Sequence, residues 1–499
     1  SEEESIWKFV HSALLELWFT GTELPPVNTC LEEIIATVNS DAFRPQNGDH
    51  GPNTAWLERL LDQLPEEARG RCQQYVDVLF CKLSAVENIS PVHSPGAGRP
   101  SCFNDFDTRA KMLLPLLLTL KPLARKVPQY AFPHLGKIMP VLATTEVSSS
   151  HLSVLRMLQD LLCSVACCHR DLADEEARRV VLELQQAKSQ RLQAKGKNQA
   201  LDAKIADLGQ QLARCAEPSL PLALEAALVR SFQQGAFKLA DAHRWQSFED
   251  ISRTTRALCA VVRCNRTPMS VAFLFKVFSQ YVSVLRSFIE APTDERAAWI
   301  PRALCVAGNI VRYFEFESVQ DVALVTEALH AKKNFLVMAV AHFPNNARES
   351  IKRATLHALG SVFVREPKLM LNRTVVKLMK DCLAPKDANG SQLQVLKNLH
   401  DHFLQEEAEL VALTAAAPQQ DAAVELVSDT STSLIQQFHT LILESSLSPA
   451  LKIRDQAVQL MRVILHRGLT ASYLLIPYLL AQQCKTDATS NEALRVLGM

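Results

Sequence analysis

Amphipathic helical runs joined by short proline turns constrain this chain most, and residues 349–407 show the pattern best. Apolar side chains in the first run keep a three-and-four spacing: Ile351, Thr355 (through its methyl group), Ala358, Leu359, Val362 and Phe363. This spacing places them on one buried helical face. Glu366-Pro367 then ends the helix, because a residue before proline avoids the α region. A second amphipathic run follows through Val375, Leu378, Met379, Cys382 and Leu383.

Similar helix–turn–helix pairs recur along the chain after Pro218. The periodicity predicts helices at 220–238, 246–264, 268–290, 297–313, 318–342, 346–364, 367–383, 391–412, 434–446, 449–466 and 470–482. A pair returns about every 40 to 45 residues, the period typical of HEAT or armadillo arrays. Only 15 glycines in 499 residues also suit a long helical array. We therefore predict an all-α fold, a curved HEAT-repeat solenoid that leaves a long concave surface exposed.

Composition divides this array into five segments. They are helical repeats at 1–170 with an acidic start and a loop near 88–103, a projecting helical-hairpin insertion at 171–217, basic repeats at 218–413, a flexible loop at 414–433, and repeats at 434–499 expected to continue beyond the chain. Within the hairpin, Leu201, Ile205, Leu208 and Leu212 keep a spacing that suffices for a two-helix seam. The hairpin is either an inert projection or a partner-binding arm. Ser90 and Ser94 precede prolines in the first loop and are either phosphorylation sites or ordinary loop residues.

Known catalytic and metal-binding patterns do not occur in the sequence. It contains no G-x-x-x-x-G-K-[ST], H-E-x-x-H or G-x-S-x-G motif. Cys163, Cys167, Cys168 and His169 lack the spacing of a zinc site. His400 and His402 are two residues apart and cannot face one ion from a helix, so we predict solvated histidines, and Cys259 and Cys264 lack a catalytic His/Asp pattern. We expect no enzyme activity, no cofactor, no metal and no small-molecule substrate.

Cysteines are sparse, and most of them, such as Cys259, Cys305 and Cys382, lie within apolar helical runs. This pattern is typical of a reduced, intracellular protein. The apolar run Met112 to Leu120 is interrupted by a proline and is far shorter than the roughly 20 residues that a membrane helix needs. The sequence therefore predicts no membrane partner.

Charge is balanced overall but not along the chain, with 53 Lys+Arg against 53 Asp+Glu. Residues 1–70 hold 4 basic and 13 acidic residues, whereas residues 250–399 hold 21 basic and 12 acidic residues. The local charge thus changes from about −9 to about +9, which favours a polyanion-binding surface in the middle of the chain.

The candidate DNA-binding residues are cations on the faces of these basic helices. Arg373, Lys377 and Lys380 are spaced four and three and so project from one side of a helix. The others are Lys332, Lys333, Lys352, Arg353, Arg263 and Arg266. Because no aromatic residues are interleaved to stack on bases, the backbone of duplex DNA is the expected target. Each cation taken alone is better explained as an ordinary solvated side chain, and the DNA-binding hypothesis rests on their combined charge.

Several stretches resemble the Nipped-B family of cohesin loaders, and they occur in the family's order. They are ELWFTGTE (Glu16 to Glu23), ALCAVV (Ala257 to Val262), ALCVAGNIVRYFEFE (Ala303 to Glu317), HALGSVFVREPKLML followed by LQVLKNLHDHFLQEEAEL, and HRGLTASYLLIPYLLA (His466 to Ala481). Most of the matched residues are packing residues. The resemblance therefore indicates the central to C-terminal HEAT-repeat region of the family without indicating an active site.

This resemblance implies a cohesin-loading function in the nucleus, on chromatin. The family's solenoid grips double-stranded DNA, contacts the cohesin ATPase heads and the kleisin, and stimulates ATP hydrolysis by cohesin. It also implies a separate loader partner subunit, bound through an N-terminal segment that this chain lacks. The alternative is a protein-only HEAT scaffold or nuclear transport adaptor, which predicts no DNA affinity.

Overall fold

The computed structural model describes residues 2–21, 23–39, 54–87, 106–138, 149–193, 199–216, 226–230, 232, 247–265, 267–316, 319, 321–345, 348–384, 390–416 and 421–483. Regular secondary structure within these ranges is helical throughout, so the predicted all-α class is confirmed. Arg266, Ser90 and Ser94 lie outside the described residues.

Two compact units form the chain, Ser1–Ala272 and Phe273–Met499. Their boundary falls inside segment 218–413, which the sequence predicts as one continuous run of repeats. The pattern could not reveal this boundary, because periodicity reports the buried face of a helix and not which neighbours cover it.

Nine helices with defined bounds and the start of a tenth lie in the first unit, which also contains the helical residues 226–230. Their bounds are α1 Glu2–Leu15, α2 Val27–Asn39, α3 Ala55–Asp62, α4 Arg69–Glu87, α5 Phe106–Lys126, α6 Pro128–Ala131, α7 Ser149–Gln193, α8 Gln199–Ala216, α9 Phe248–Asn265 and α10 Pro268–Glu290. A π-helical turn, Glu16–Thr20, extends α1 and buries Trp18 and Phe19. Trp18 packs on Trp56 of α3, with ring centroids 6.1 Å apart, and its carbonyl accepts a 2.6 Å hydrogen bond from the Tyr75 hydroxyl of α4.

Pro115 and Pro122 both lie inside α5. An interior proline costs a helix about 3 kcal/mol. Burial explains the exception, because Leu113, Leu117, Leu120 and Leu123 are all at most 2% exposed. Each fully buried leucine contributes roughly 1.5–3 kcal/mol, and four of them offset the cost of two prolines.

The hairpin predicted at 171–217 differs in its starting point, because α7 continues without a break from Ser149 to Gln193. The first part of α7 packs against α5 and α9, and its last part packs against α8. Val180, Ala187 and Leu208 form the buried seam between α7 and α8, with Leu184, Ile205 and Leu212 beside it. A helix can pass from a crowded environment to an exposed one without any change in its own period, so sequence could not locate this boundary.

The second unit consists of four helical pairs that follow α10 and the short helix α11 Asp294–Ala297. The pairs are α12 Ile300–Tyr313 with α13 Val322–Val337, α14 Glu349–Phe363 with α15 Arg373–Leu383, α16 Gly390–Ala416 with α17 Asp421–Ser446, and α18 Leu451–His466 with α19 Ser472–Gln483. The first helices of the pairs pack side by side in the order α12, α14, α16 and α18. Of the second helices, α17 packs against both α15 and α19. The unit therefore has a layer of first helices and a layer of second helices.

Two glycines allow the first helices to approach closely. A Cβ atom added at Gly308 of α12 would lie 2.8 Å from the Cα of Ala358 in α14, and one at Gly360 would lie 2.1 Å from the Asn398 side chain of α16. Buried polar groups are hydrogen-bonded across the same contacts. The Ser361 hydroxyl donates to Asn309 at 3.2 Å, and the Asn398 amide donates to the Leu356 carbonyl at 2.7 Å.

The flexible loop predicted at 414–433 is largely helical, because α16 extends to Ala416 and α17 begins at Asp421. Alanine, leucine and glutamate in this segment favour a helix, and Ser431 is buried with its hydroxyl bonded to the Glu406 carboxylate.

Helix α10 is long and apolar enough to cross a membrane by length and composition, with a mean hydropathy of 1.3 in its most apolar window. It also has neighbours that explain its apolar residues. Phe275 stacks on Phe316 at 5.3 Å between ring centroids, and Phe278 packs on Phe335 of α13 at 6.3 Å. A core helix of a helical array can be as long and apolar as a membrane-spanning helix, so the composition of α10 is also that of a core helix.

Candidate nucleic-acid interface

Helix α15 presents Arg373 and Lys377 on its exposed face. Asn372 fixes the start of the helix, because its side-chain oxygen accepts a 2.9 Å hydrogen bond from the backbone N–H of Thr374. Val375, Met379, Cys382 and Leu383 are buried on the opposite face. The predicted separation of a cationic face from an apolar face is therefore present in this helix.

Lys380, the third cation predicted on this face, is only half-exposed. Its ammonium lies 6.0 Å from the ring centroid of Phe438 in α17. A cation–π contact of this kind holds the charge beside the protein. Lys380 is therefore less available to a ligand than Arg373 or Lys377.

Lys352 reaches the last turn of α15 from α14. Burial raises the pKa of the Cys382 thiol, and the Lys352 ammonium opposes this rise through its charge and a hydrogen bond. Lys352 thus adds a half-buried cation at the C-terminal end of α15. A cation near the last turn of a helix is also favoured by the helix dipole.

Lys332 and Lys333 of α13 have different environments. The Lys332 ammonium pairs with the Glu366 carboxylate at 2.8 Å, its side chain is 15% exposed, and it lies 5.9 Å from the Phe316 ring. Lys333 is exposed. The charge of Lys332 is compensated by Glu366, so Lys332 forms a structural ion pair at the edge of the core. The sequence pattern did not indicate this role.

Arg353 of α14 is exposed, but it lies toward α16 instead of α15. Its Cδ lies 3.0 Å from the position of a Cβ added at Gly390, the first residue of α16. Lys352 and Arg353 are adjacent in sequence, yet Lys352 contacts α15 and Arg353 contacts α16. The predicted candidates on α14 thus belong to two different surfaces.

Arg263 belongs to the first unit and is half-buried in α9. Burial raises the pKa of Asp171 in α7, and Arg263 is the strongest charge opposing that rise. Arg263 therefore faces α7 and its carboxylate. Arg263 and the other described candidates therefore lie in different compact units.

Three basic residues that the sequence analysis did not select are Lys368, Arg312 and Lys397. Lys368 is exposed in the 3-10 helix Pro367–Leu371, immediately before α15. Arg312 of α12 pairs with Asp401 of α16 at 3.6 Å, and Lys397 of α16 is exposed. Arg312 and Lys397 lie on different helices, and, beyond the effect of burial, the charges of both lower the pKa of His357 in α14. No spacing within one helix indicates this relation.

The cysteine-rich stretch of α7 has a thiol pair, with the sulfur atoms of Cys163 and Cys167 3.9 Å apart. The hydrogen bond between them lowers the pKa of Cys167 and raises that of Cys163. Within the described ranges, no three His, Cys, Asp or Glu side chains are grouped to hold a metal. Cys259 is fully buried, and burial raises the pKa of its thiol to about 12, which makes it a poor nucleophile at neutral pH.

The histidines at 400 and 402 differ from the solvated residues that the sequence predicts. His402 is 4% exposed, and its ring lies against Phe403 with centroids 5.5 Å apart. His400 is half-buried, and burial lowers its pKa. The prediction was wrong because α16 packs against α14 on one side and α18 on the other. The sequence of one helix does not show such coverage.

The stacked helical pairs place this protein in the class of α-solenoids. Its second-helix layer exposes two cations on α15, Arg373 and Lys377. Residues 431–498 match the family model of the sister chromatid cohesion C-terminus, Nipped-B_C. The Nipped-B-like protein of Homo sapiens is 23% identical over 246 residues, which cover 46% of this chain and 9% of that protein. Nipped-B-like protein scc-2 of Caenorhabditis elegans is 26% identical over 192 residues, covering 36% of this chain and 9% of the relative.

Similarity extends to a solved structure. The Chaetomium thermophilum cohesin loader SCC2, C-terminal fragment, superposes with a TM-score of 0.61 at 14% identity, covering 99% of this chain and 31% of that chain. The predicted HEAT-type solenoid and the predicted resemblance to the Nipped-B cohesin loaders are both confirmed. The chain spans 9% of the length of the curated human relative.

Proposed function

We propose that this chain is a DNA- and cohesin-binding segment of a cohesin loader. The observation that carries the proposal is the match of residues 431–498 to the Nipped-B C-terminal family model. Those residues include the end of α17, all of α18 and α19, and the contacts of α17 with α15. The matched segment therefore packs, through α17, against the helix that exposes the basic face.

In this proposal, duplex DNA contacts the α15 face through its phosphate backbone. Arg373 and Lys377 supply exposed positive charge, and Lys368 precedes them in the chain. Arg373 stands at the first residue of α15, where the positive end of the helix dipole disfavours a cation by about 0.3–1 kcal/mol. A cation at a position that reduces stability supports a role in binding an anion.

Cohesin is the proposed protein partner, through its ATPase heads and its kleisin. The chain acts as a scaffold that stimulates ATP hydrolysis by cohesin and promotes loading onto chromatin in the nucleus, and it hydrolyses nothing itself. A loader partner subunit is a further proposed partner. These assignments rest on the resemblance to the Nipped-B family.

The experiment that tests the proposal measures the ATPase rate of purified cohesin with the chain, with duplex DNA, and with both. We expect the chain and DNA together to raise the rate above either alone. The Arg373→Ala/Lys377→Ala variant should lose the DNA-dependent part. Its control is Lys276→Ala/Arg286→Ala, which removes one lysine and one arginine from exposed positions of α10.

A protein-only scaffold is the second candidate function, and specific ion pairs favour it. Lys332 pairs with Glu366 at 2.8 Å, and Arg365 pairs with Glu315 at 3.0 Å, so part of the positive charge of the basic region is compensated. If the chain binds cohesin but neither binds duplex DNA nor responds to it, this second function is the correct one.

A further inference from the structure

A pair of thiols lies on α7, in the part of the helix that packs against α5 and α9. The sulfur atoms of Cys163 and Cys167 are 3.9 Å apart, so one thiol donates a hydrogen bond to the other. Cys163 is 5% exposed, whereas Cys167 is half-buried and within reach of small molecules from solvent. Because a negative charge costs more in the buried position, Cys163 keeps its proton and donates it, and Cys167 is the acceptor.

The last turn of α9 approaches the same turn of α7. The Cys264 thiol of α9 donates to the Ala166 carbonyl at 3.4 Å, which places this end of α9 next to Cys167. Arg263 is half-buried in that turn, and its Nε atom is buried without a hydrogen-bond partner among the residues that the structure describes. A guanidinium in this position supplies positive charge and an N–H that can still donate.

The groups around Cys167 favour its thiolate form. The hydrogen bond from Cys163 is the main cause that lowers the pKa of Cys167 to about 7; burial opposes the change, and the charges of Arg263 and Arg256 in α9 assist it. Asp171 is the carboxylate that acts in the opposite direction. About half of Cys167 is therefore thiolate at neutral pH, compared with a few per cent of an ordinary cysteine.

Access from solvent separates Cys167 from most other cysteines. Among the cysteines whose side chains the structure describes, those that are not buried are Cys81, Cys167 and Cys168. Cys81 is exposed, and Cys168 is half-buried beside Cys167 in sequence. A reactive cysteine needs both access and a stabilised thiolate. Cys167 combines the two, and Cys168 is its natural control because it has similar exposure in the same turn of helix.

We propose that Cys167 is a peroxide-sensitive modification site, at which hydrogen peroxide forms a sulfenic acid. The thiolate sulfur attacks one peroxide oxygen, so an S–O bond forms as the O–O bond breaks. Sulfur loses two electrons, and the second peroxide oxygen leaves as hydroxide, which takes up a proton to become water. Cys163 is a positioning residue in this step, because it stabilises the attacking thiolate without reacting itself.

Helical geometry favours a product at a single sulfur. The Cβ atoms of residues four apart in a helix are about 5–6 Å apart, whereas a disulfide requires about 3.5–4.5 Å. Since α7 is continuous from Ser149 to Gln193, the sulfenic acid at Cys167 does not close onto Cys163. It reacts instead with a thiol from solvent such as glutathione, forming a mixed disulfide as the sulfenic oxygen leaves in water.

The first test measures the rate of iodoacetamide alkylation at each cysteine of the folded chain as a function of pH, by mass spectrometry. We expect the rate at Cys167 to rise with a midpoint near pH 7, and at pH 7 to exceed the rates at Cys168 and at the exposed Cys81. Accessibility alone would make Cys81 the fastest. Faster alkylation of Cys81 or Cys168 than of Cys167 at pH 7 would overturn the proposal.

The second test examines how Cys163 acts, through the midpoint of the Cys167 profile. Cys163→Ala should raise this midpoint by about one pH unit or more, because the hydrogen bond to the thiolate is lost. Cys163→Ser keeps a donor and should restore part of the shift, and Arg263→Gln should raise the midpoint by a smaller amount. The matched control Cys168→Ser should leave it unchanged. An unchanged midpoint in Cys163→Ala, or an equal rise in Cys168→Ser, contradicts the assignment.

The third test identifies the product. The chain is exposed to hydrogen peroxide in the presence of dimedone, which traps sulfenic acids. We expect the adduct at Cys167, reduced severalfold in Cys163→Ala and lost in Cys167→Ser. Peroxide followed by glutathione should give a mixed disulfide at Cys167 that dithiothreitol reverses. An adduct that forms first at Cys168 or Cys81, or a disulfide between Cys163 and Cys167 as the main product, would refute the proposed site.

Discussion

Close packing of the first-helix layer depends on single residues, and Gly308 is the clearest of them. In a helix interior, replacing glycine by alanine normally stabilises by about 0.5–1 kcal/mol. At Gly308 the added methyl group would meet the backbone of Ala358 at 2.8 Å, and backbone cannot move aside as a side chain can. The same substitution at Gly209 of α8 meets no atom within 4 Å.

We predict opposite effects for these two substitutions. Gly308→Ala should lower the free energy of unfolding by about 1–3 kcal/mol, the usual cost of overpacking. Gly209→Ala should raise it by up to about 1 kcal/mol. Urea denaturation followed by circular dichroism measures both values. Equal and favourable effects would mean that α12 and α14 are farther apart than described.

His357 gives the second residue-scale prediction, because its pKa falls from 6.5 to about 4 on folding. Between these values the unfolded chain binds more protons than the folded chain, so stability decreases as the pH falls through this range. From pH 7 to pH 5, His357 alone should reduce the free energy of unfolding by about 2 kcal/mol.

The measurement compares the wild type with His357→Gln at both pH values. The variant should lose about 2 kcal/mol less on acidification than the wild type does, whatever its stability at pH 7. Burial also lowers the pKa of His169 in the first unit. His169→Gln should therefore also lose less stability on acidification than the wild type does. Equal pH dependence in His357→Gln and the wild type would contradict the burial described for His357.

At the scale of elements, the α7–α8 hairpin is the part whose removal is best defined. Its apolar seam is internal, since Val180, Ala187 and Leu208 pack on Leu184, Ile205 and Leu212. The preceding part of α7 carries the contacts to α5 and α9. The last part of α7 and α8 thus have their own small core.

We predict that replacing residues 173–215 by a short Gly/Ser loop leaves the chain folded, with a melting temperature close to that of the wild type. Differential scanning calorimetry and soluble yield measure this. A large loss of either would show that the hairpin contributes to the main core. Unchanged stability with loss of cohesin stimulation would instead identify the hairpin as a binding arm.

Helices were the elements that the sequence predicted best, because the period of their apolar residues marks the buried face. The run predicted at 268–290 coincides with α10 Pro268–Glu290, and the run predicted at 449–466 corresponds to α18 Leu451–His466. Loop boundaries and the partners of charged side chains were harder to predict. A loop is predicted at 414–433, whereas α16 ends at Ala416 and α17 begins at Asp421. The sequence around Lys332 gives no sign of its ion pair with Glu366. Such pairs depend on packing between helices, which no single-helix pattern contains.

At the scale of the whole molecule, each of the two units has its own helical core, and the second unit carries the proposed DNA-binding surface. The α15 face belongs to the second-helix layer. The central claim is that the α15 face binds duplex DNA through its phosphate backbone.

The most direct test of that claim is the salt dependence of binding to a fluorescent duplex, measured by anisotropy. Each phosphate contact contributes about 0.9 to the slope of log K against log salt, so Arg373→Ala/Lys377→Ala should flatten the slope by roughly 2 units. Adding Lys380→Ala should change it by less than one further contact, because Lys380 packs on Phe438. Folding should hardly change, since exposed substitutions usually fall within about 0.5 kcal/mol. Lys276→Ala/Arg286→Ala and Arg353→Ala/Lys397→Ala should keep the wild-type slope, whereas an unchanged slope in Arg373→Ala/Lys377→Ala would contradict the claim.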